Sequence, residues 1–195
     1  MMRPIRFPVR FLKATKQLSL VFALSAMGVI TAQAAGEAMG RARAGAVTDS
    51  AGHVRIPIQV KKDLKIVYQV SDDKLKGESG RALVYAKKLL DTYNANDVPD
   101  EEIDLHLVFH GDAIKALVND STRKRLKAEG AAGNPNKSLI KELNKRGVSI
   151  ELCESTMEQK EVKSTDLVDG VATVRGAFPR IINLQHLGYA YIKFE

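Results

Sequence analysis

The chain predicts an α/β fold: a three-layer α/β/α sandwich built on a mainly parallel five-stranded sheet. Two observations carry this. Short runs rich in β-branched and aromatic residues, such as "LKIVYQV" and "IDLHLVF", recur along the chain. Amphipathic stretches with helical spacing separate them, and strands separated by helices pair in parallel through right-handed crossovers, with helices on both faces. Flavodoxin-like and Rossmann-like sandwiches meet this description, and such sheets place their sites beyond the carboxyl ends of the strands.

Residues 1–34 read as an export signal. Arg3, Arg6, Arg10, Lys13 and Lys16 precede an apolar run from Leu18 to Ile30, and the best cleavage site follows Ala32-Gln33-Ala34. That run is 13 residues long, short of the roughly 20 needed to span a bilayer, so no membrane anchor is expected. The expected location is outside the cytoplasm, and the periplasm if the cell is Gram-negative. Residues 35–60 are expected to be a flexible leader, because the stretch from Ala35 to Gly52 is rich in Ala and Gly and holds no sustained period. A single domain over residues 61–195 follows.

Within the domain the first strand is Leu64 to Val70, followed by the polar loop "SDDKLKGESG" and a helix with Leu83, Ala86, Leu90 and Tyr93 on one face. The second strand is Ile103 to Phe109. His110-Gly111 forms its turn, and "DAIKALVN" predicts a helix of about two turns. The loop "AEGAAGNPNKS" leads to a third helix with Leu139, Ile140 and Leu143 inward, closed by Arg146-Gly147. Then come the strand "VSIELC", a polar helix, a short strand from Val171, the helix "FPRIINLQHLG" and a last strand from Tyr189.

Charge excludes one function class. The chain is formally +7, with 30 Lys and Arg against 23 Asp and Glu. Five of the cations lie in the signal, so the mature chain is close to neutral and loses the basic excess expected of a nucleic-acid binder. The run Arg123, Lys124, Arg125, Lys127 is expected to be a solvated helix face. No metal or dinucleotide cofactor is expected: His53, His106, His110 and His186 lack ligand spacing, and the first loop has neither G-x-G-x-x-G nor a P-loop. Its Asp72-Asp73 pair reads as a solvated turn.

Cys153 is the only cysteine. Alternation along "VSIELC" puts Val148, Ile150 and Leu152 on one face and Ser149, Glu151 and Cys153 on the other. Downstream, Ser155-Thr156-Met157-Glu158 fits a capping box, so a helix is expected to start two residues after the thiol, where its amides and dipole favour a thiolate. Glu151 and Glu154 oppose that charge. A lone cysteine is equally read as a small buried hydrophobe. His110, also at a strand end, is its candidate site neighbour if the two strands lie close; His106 lies on the same strand face as His110 and reads as a satisfied half-buried side chain. No nucleophile-elbow pattern supports a hydrolase triad.

The segments "IVYQVSDD", "LVFHGDAIKALVND", "LNKRGVSIELCESTM" and "DLVDGVATVRGAFPRIINLQHLGYAYIKF" resemble, in this order, the DsrE/DsrF-like family related to the TusB, TusC and TusD sulfur-relay subunits. The last segment looks like its exported, stand-alone DsrE-like branch. The resemblance implies a DsrE-like α/β/α fold, assembly into a homo-oligomer (trimer or hexamer), and a sulfur carrier or sulfurtransferase in which Cys153 holds sulfur as a persulfide. The implied partners are a sulfane-sulfur donor and a thiol acceptor, and no cofactor is needed. Family members without the cysteine imply an alternative, a non-catalytic oligomeric binding module in which Cys153 only packs.

Overall fold

The computed structural model describes residues 46–130 and 133–195. The expected signal and residues 35–45 of the expected leader lie outside them. The chain divides after Pro57 into two units. In the first, Val47–Thr48 and Val54–Arg55 form a small antiparallel hairpin, and the Asp49 carboxylate accepts from the Ala51 and His53 amides to close its turn.

The second unit runs β1 (Leu64–Val70), α1 (Arg81–Asn94), β2 (Ile103–Phe109), α2 (Asp120–Arg125), α3 (Lys137–Lys145), β3 (Ser149–Cys153), α4 (Glu154–Gln159), β4 (Ala172–Val174), α5 (Ala177–His186) and β5 (Ala190–Phe194). All five strands pair in parallel in the order β4-β3-β2-β1-β5. The layering follows from that order. Three crossovers from β1 to β4 step the same way across the sheet, so right-handed connections put their helices on one face. The return past β1 to β5 puts α5 on the other.

The pleat then sorts side chains between two cores. Ile66, Tyr68, Leu105, Leu107, Ile150 and Leu152 face the first layer, where they meet Leu83, Leu90, Ile140 and Leu143. Each fully buried Leu or Ile there contributes about 1.5–3 kcal/mol. Val67, Val108 and Cys153 face α5 and pack against Ala177, Ile181 and Leu184. The sheet is ~20 Å wide and a helix with its side chains ~10 Å across, so α5 covers about half of its face. Polar and charged side chains occupy the rest.

The predicted strands and the helix over Leu83 to Tyr93 are present, and Gly147 ends α3 at φ +83°. Three expectations are corrected. The segment predicted as a two-turn α-helix is a 3-10 helix over Gly111–Ala116; Val118 leaves the helical path to bridge Leu167, and Asn119 starts α2 by accepting from the Thr122 amide at 2.9 Å. The basic run is not all solvated: Arg123 is 4% exposed and donates to the carbonyls of Lys115 and Glu129, while Arg125 donates to those of Lys160 and Glu161. Asp72 and Asp73 pair with Arg81 and Lys115, which makes their turn a clamp between β1 and the segments that follow it.

The loop before α3 carries two buried asparagines. Asn136 Oδ1 accepts from the Gly80 amide at 2.7 Å, at the start of α1, and Asn134 Nδ2 donates to the carbonyls of Ala116 and Val118 at 2.9 and 2.7 Å. Among the described residues no helix is long and apolar enough to cross a membrane.

Candidate functional site

Cys153 is the last residue of β3, and its place in the topology is specific. The chain leaves β3 into α4 on one face of the sheet, and leaves the adjacent β4, where Val174 stands in register with Cys153, into α5 on the other. Neighbouring strands whose connections part in this way open a crevice between them, the usual position of a site in a parallel sheet.

Two helix starts converge there. Cys153 itself is the N-cap of α4, with φ −68° and ψ 120°, so the helix begins at Glu154. This corrects the capping box: Ser155 lies in the first turn, two residues past the cap position, because the extended strand gives way to helix directly after the thiol. Thr156 Oγ1 accepts from the Gly111 amide at 3.2 Å, which ties α4 to the turn after β2. Burial pushes the Cys153 thiol up, but the amides of Thr156 and Ala177, the Thr156 hydroxyl and the Ser155 amide outweigh it, and the net shift is downward. Its side chain closes no cap hydrogen bond; these donors act as oriented dipoles around Sγ. The residue is 6% exposed.

The acidic neighbours do not leave the thiol in a field of free negative charge. Glu151, 2% exposed, shares the face of Cys153. Its Oε2 accepts from Arg180 Nε at 2.7 Å and its Oε1 from Arg180 Nη2 at 2.8 Å. Ser149 Oγ donates to Oε1 at 2.9 Å, and His106 Nδ1 stands 2.5 Å from the same oxygen. Burial works against this carboxylate, yet the bonds from Arg180, His106 and Ser149 hold it down at about 2. The other nitrogen of His106 lies 3.1 Å from Asp104, so each ring nitrogen faces a carboxylate. Glu154 turns toward β4, where Thr173 Oγ1 donates to it at 3.0 Å.

Arg180 is three residues past Ala177 in α5. Its bidentate grip on Glu151 therefore fastens the start of α5, and with it the Ala177 amide, against β3. Sequence reasoning missed Arg180, Thr156 and Ala177, because no local spacing links them to the cysteine.

His110 follows β2 directly. The register that pairs Phe109 with Leu152 continues to set His110 beside Cys153, on the same face. The imidazole is hydrogen-bonded on the β1 side, with Nε2 2.9 Å from Gln69 Nε2, and packs against the Phe178 ring at 5.4 Å between centroids. Gln69 in turn accepts from the Tyr191 hydroxyl of β5. Its polar side chain inside an apolar strand was the one sequence signal for this network. Gly111 makes the turn feasible: its φ is +60°, and a Cβ there would stand 3.2 Å from the Ser71 carbonyl oxygen.

The arrangement offers a cysteine sulfur at the meeting of two helix starts, with a histidine beside it. The fold resembles that of a protein of unknown function, MTH1491, from Methanobacterium thermoautotrophicum, with a TM-score of 0.52 and 20% identity over 68% of this chain and 100% of that one. Compared with the ychN protein from E. coli the TM-score is 0.47 and the identity 15%, over 67% of this chain and 100% of that one. No curated protein matches the chain significantly. The model of the DsrE/DsrF-like family matches residues 65–194. With that match spanning more than half of its length, the chain belongs to the DsrE/DsrF-like family.

Proposed function

We propose that the protein is an exported sulfur carrier in which Cys153 takes a sulfane sulfur from a donor, holds it as a persulfide and yields it to an acceptor thiol. The observation that carries this reading is the convergence of the α4 and α5 amides on Sγ, which favours the thiolate over the thiol. In the loading step the Cys153 thiolate attacks the outer sulfur of a donor persulfide, R–S–SH. The Sγ–S bond forms, the donor S–S bond breaks, and its electron pair leaves on R–S⁻, while the proton stays on the transferred sulfur. The same dipoles then favour the persulfide anion. An acceptor thiolate reverses the sequence, and no cofactor enters it.

With only 6% of Cys153 exposed, the donor must present its outer sulfur as a slender group. Export rests on the basic, apolar and small-residue order of residues 1–34; the donor and acceptor are then extracytoplasmic, in the periplasm of a Gram-negative cell. A homo-oligomer, trimer or hexamer, belongs to the same reading. The exposed Phe178 and Ile182, at 62% and 52%, stand one helical turn apart on α5 and suit such an interface.

The burial of Cys153 favours a second reading, a non-catalytic binding module in which the cysteine packs. Intact mass after incubation of the mature protein with a sulfane-sulfur donor separates the two. The carrier reading expects the wild type to gain one sulfur atom per chain and Cys153→Ser to gain none. Equal gain in both, or gain in neither, rejects it.

A further inference from the structure

His110 has one ring nitrogen occupied and one open. Gln69 Oε1 accepts from the Tyr191 hydroxyl, so the amide N–H₂ of Gln69 is what meets His110 Nε2 at 2.9 Å; among the described residues the reverse amide orientation leaves the phenol proton with no acceptor. Nε2 is thereby an acceptor, and the ring proton sits on Nδ1. Among the described residues Nδ1 has no partner. In register, His110 stands beside Cys153 on the α5 face of the sheet.

We infer that His110 is a fixed, neutral Nδ1–H donor for the sulfur that leaves during transfer at Cys153, rather than a proton shuttle or an imidazolium counter-ion. The sulfur's identity rests on the carrier reading; the state of the ring does not. A neutral imidazole cannot give up its proton at ordinary pH, and here it cannot accept one without losing the Gln69 bond. What it can do is solvate R–S⁻ as the donor S–S bond breaks, much as a hydrogen bond to any developing anion does.

Burial, with the Lys193 charge behind it, pushes the imidazole down, in keeping with a neutral ring. The titratable and charged groups facing it are Lys193 and Tyr191 on β5 and Cys153 on β3. The turn that follows adds Asp112, which is paired with Lys160 at 2.9 Å, and α5 presents Phe178.

Two measurements test this on the mature protein. Histidine nitrogen NMR, with His110→Asn to assign the signal, is expected to show the Nδ1–H tautomer at neutral pH and a mixture of tautomers in Gln69→Leu. An Nε2–H tautomer or an imidazolium in the wild type overturns the inference. Loading rates from glutathione persulfide give the second. His110→Asn, whose amide N–H₂ stands in for Nδ1–H, is expected to keep most of the rate, and His110→Leu to lose about ten- to a hundredfold, as for one hydrogen bond to a charged group. Equal losses in both variants overturn the donor role. A wild type that loads no sulfur overturns the carrier reading and the sulfur-donor role together, and the tautomer spectrum still decides the state of the ring.

Discussion

Glu151 stands two residues before Cys153 and faces the same way, and in the sequence it reads as a charge that opposes a thiolate. In the fold its charge is taken up by Arg180, His106 and Ser149, and its effect on the sulfur is to hold α5 in place. Removing Arg180 strands a buried carboxylate. Arg180→Ala is expected to cost about 3–5 kcal/mol in urea denaturation and to raise the Cys153 pKa as the Ala177 amide loosens. Unchanged stability in that variant would show that Arg180 does not clamp α5 to β3. The pH dependence has a definite sign. Folding depresses Glu151 from 4.5 to about 2, so its contribution, on the order of 3 kcal/mol, is fully present above pH ~4.5 and is lost as pH falls toward 2. Acid titration of the unfolding free energy should show that slope, and Glu151→Gln should flatten it. Alternation alone put Ser149, Glu151 and Cys153 on one face, because period 2 is local. Arg180 lies 29 residues from Glu151 along the chain, and nothing local announces that contact.

At the scale of elements, strands β1 and β2 were legible to the residue because each is an unbroken β-type run bounded by polar turns. The capping box sets the α4 cap two positions late. Ser-x-x-Glu is a sound capping signal, but the strand runs to Cys153 and the helix opens at once, which makes the cysteine the cap. The segment after His110 has helical spacing, yet the bridge from Val118 to Leu167 draws it out of the α-path after one short 3-10 stretch. The asparagines before α3 looked like ordinary loop residues, since sequence cannot show that a loop is inside. Asn136 is fully buried and satisfies the Gly80 amide at the start of α1. Asn136→Ala is therefore expected to destabilise by about 1–3 kcal/mol, the cost of stranding a buried donor, with the loss read from thermal or urea unfolding. A change within experimental scatter contradicts that role.

Over the whole molecule, one reversal of winding accounts for most of what is distinctive. Among the described residues it leaves α5 as the one helix on its face, and it sets Cys153 where the connections of β3 and β4 part and aims two helix starts at one sulfur. The alternation of strands and helices made the sandwich readable, but not the strand order β4-β3-β2-β1-β5, which depends on pairings distant in sequence. On α5, Ile182 is 52% exposed. If that face is the contact between copies, Ile182→Glu should lower the mass seen by light scattering to that of a single chain, and an unchanged mass removes α5 from the interface. The proposed carrier function requires that this topology hold Cys153 as a reactive thiolate. Its most direct test is the rate of iodoacetamide alkylation of the native mature protein as a function of pH, with Cys153→Ser as the blank. A single inflection is expected below the ordinary thiol value of about 8.5. An inflection at or above that value, or no labelling until the protein is unfolded, contradicts it.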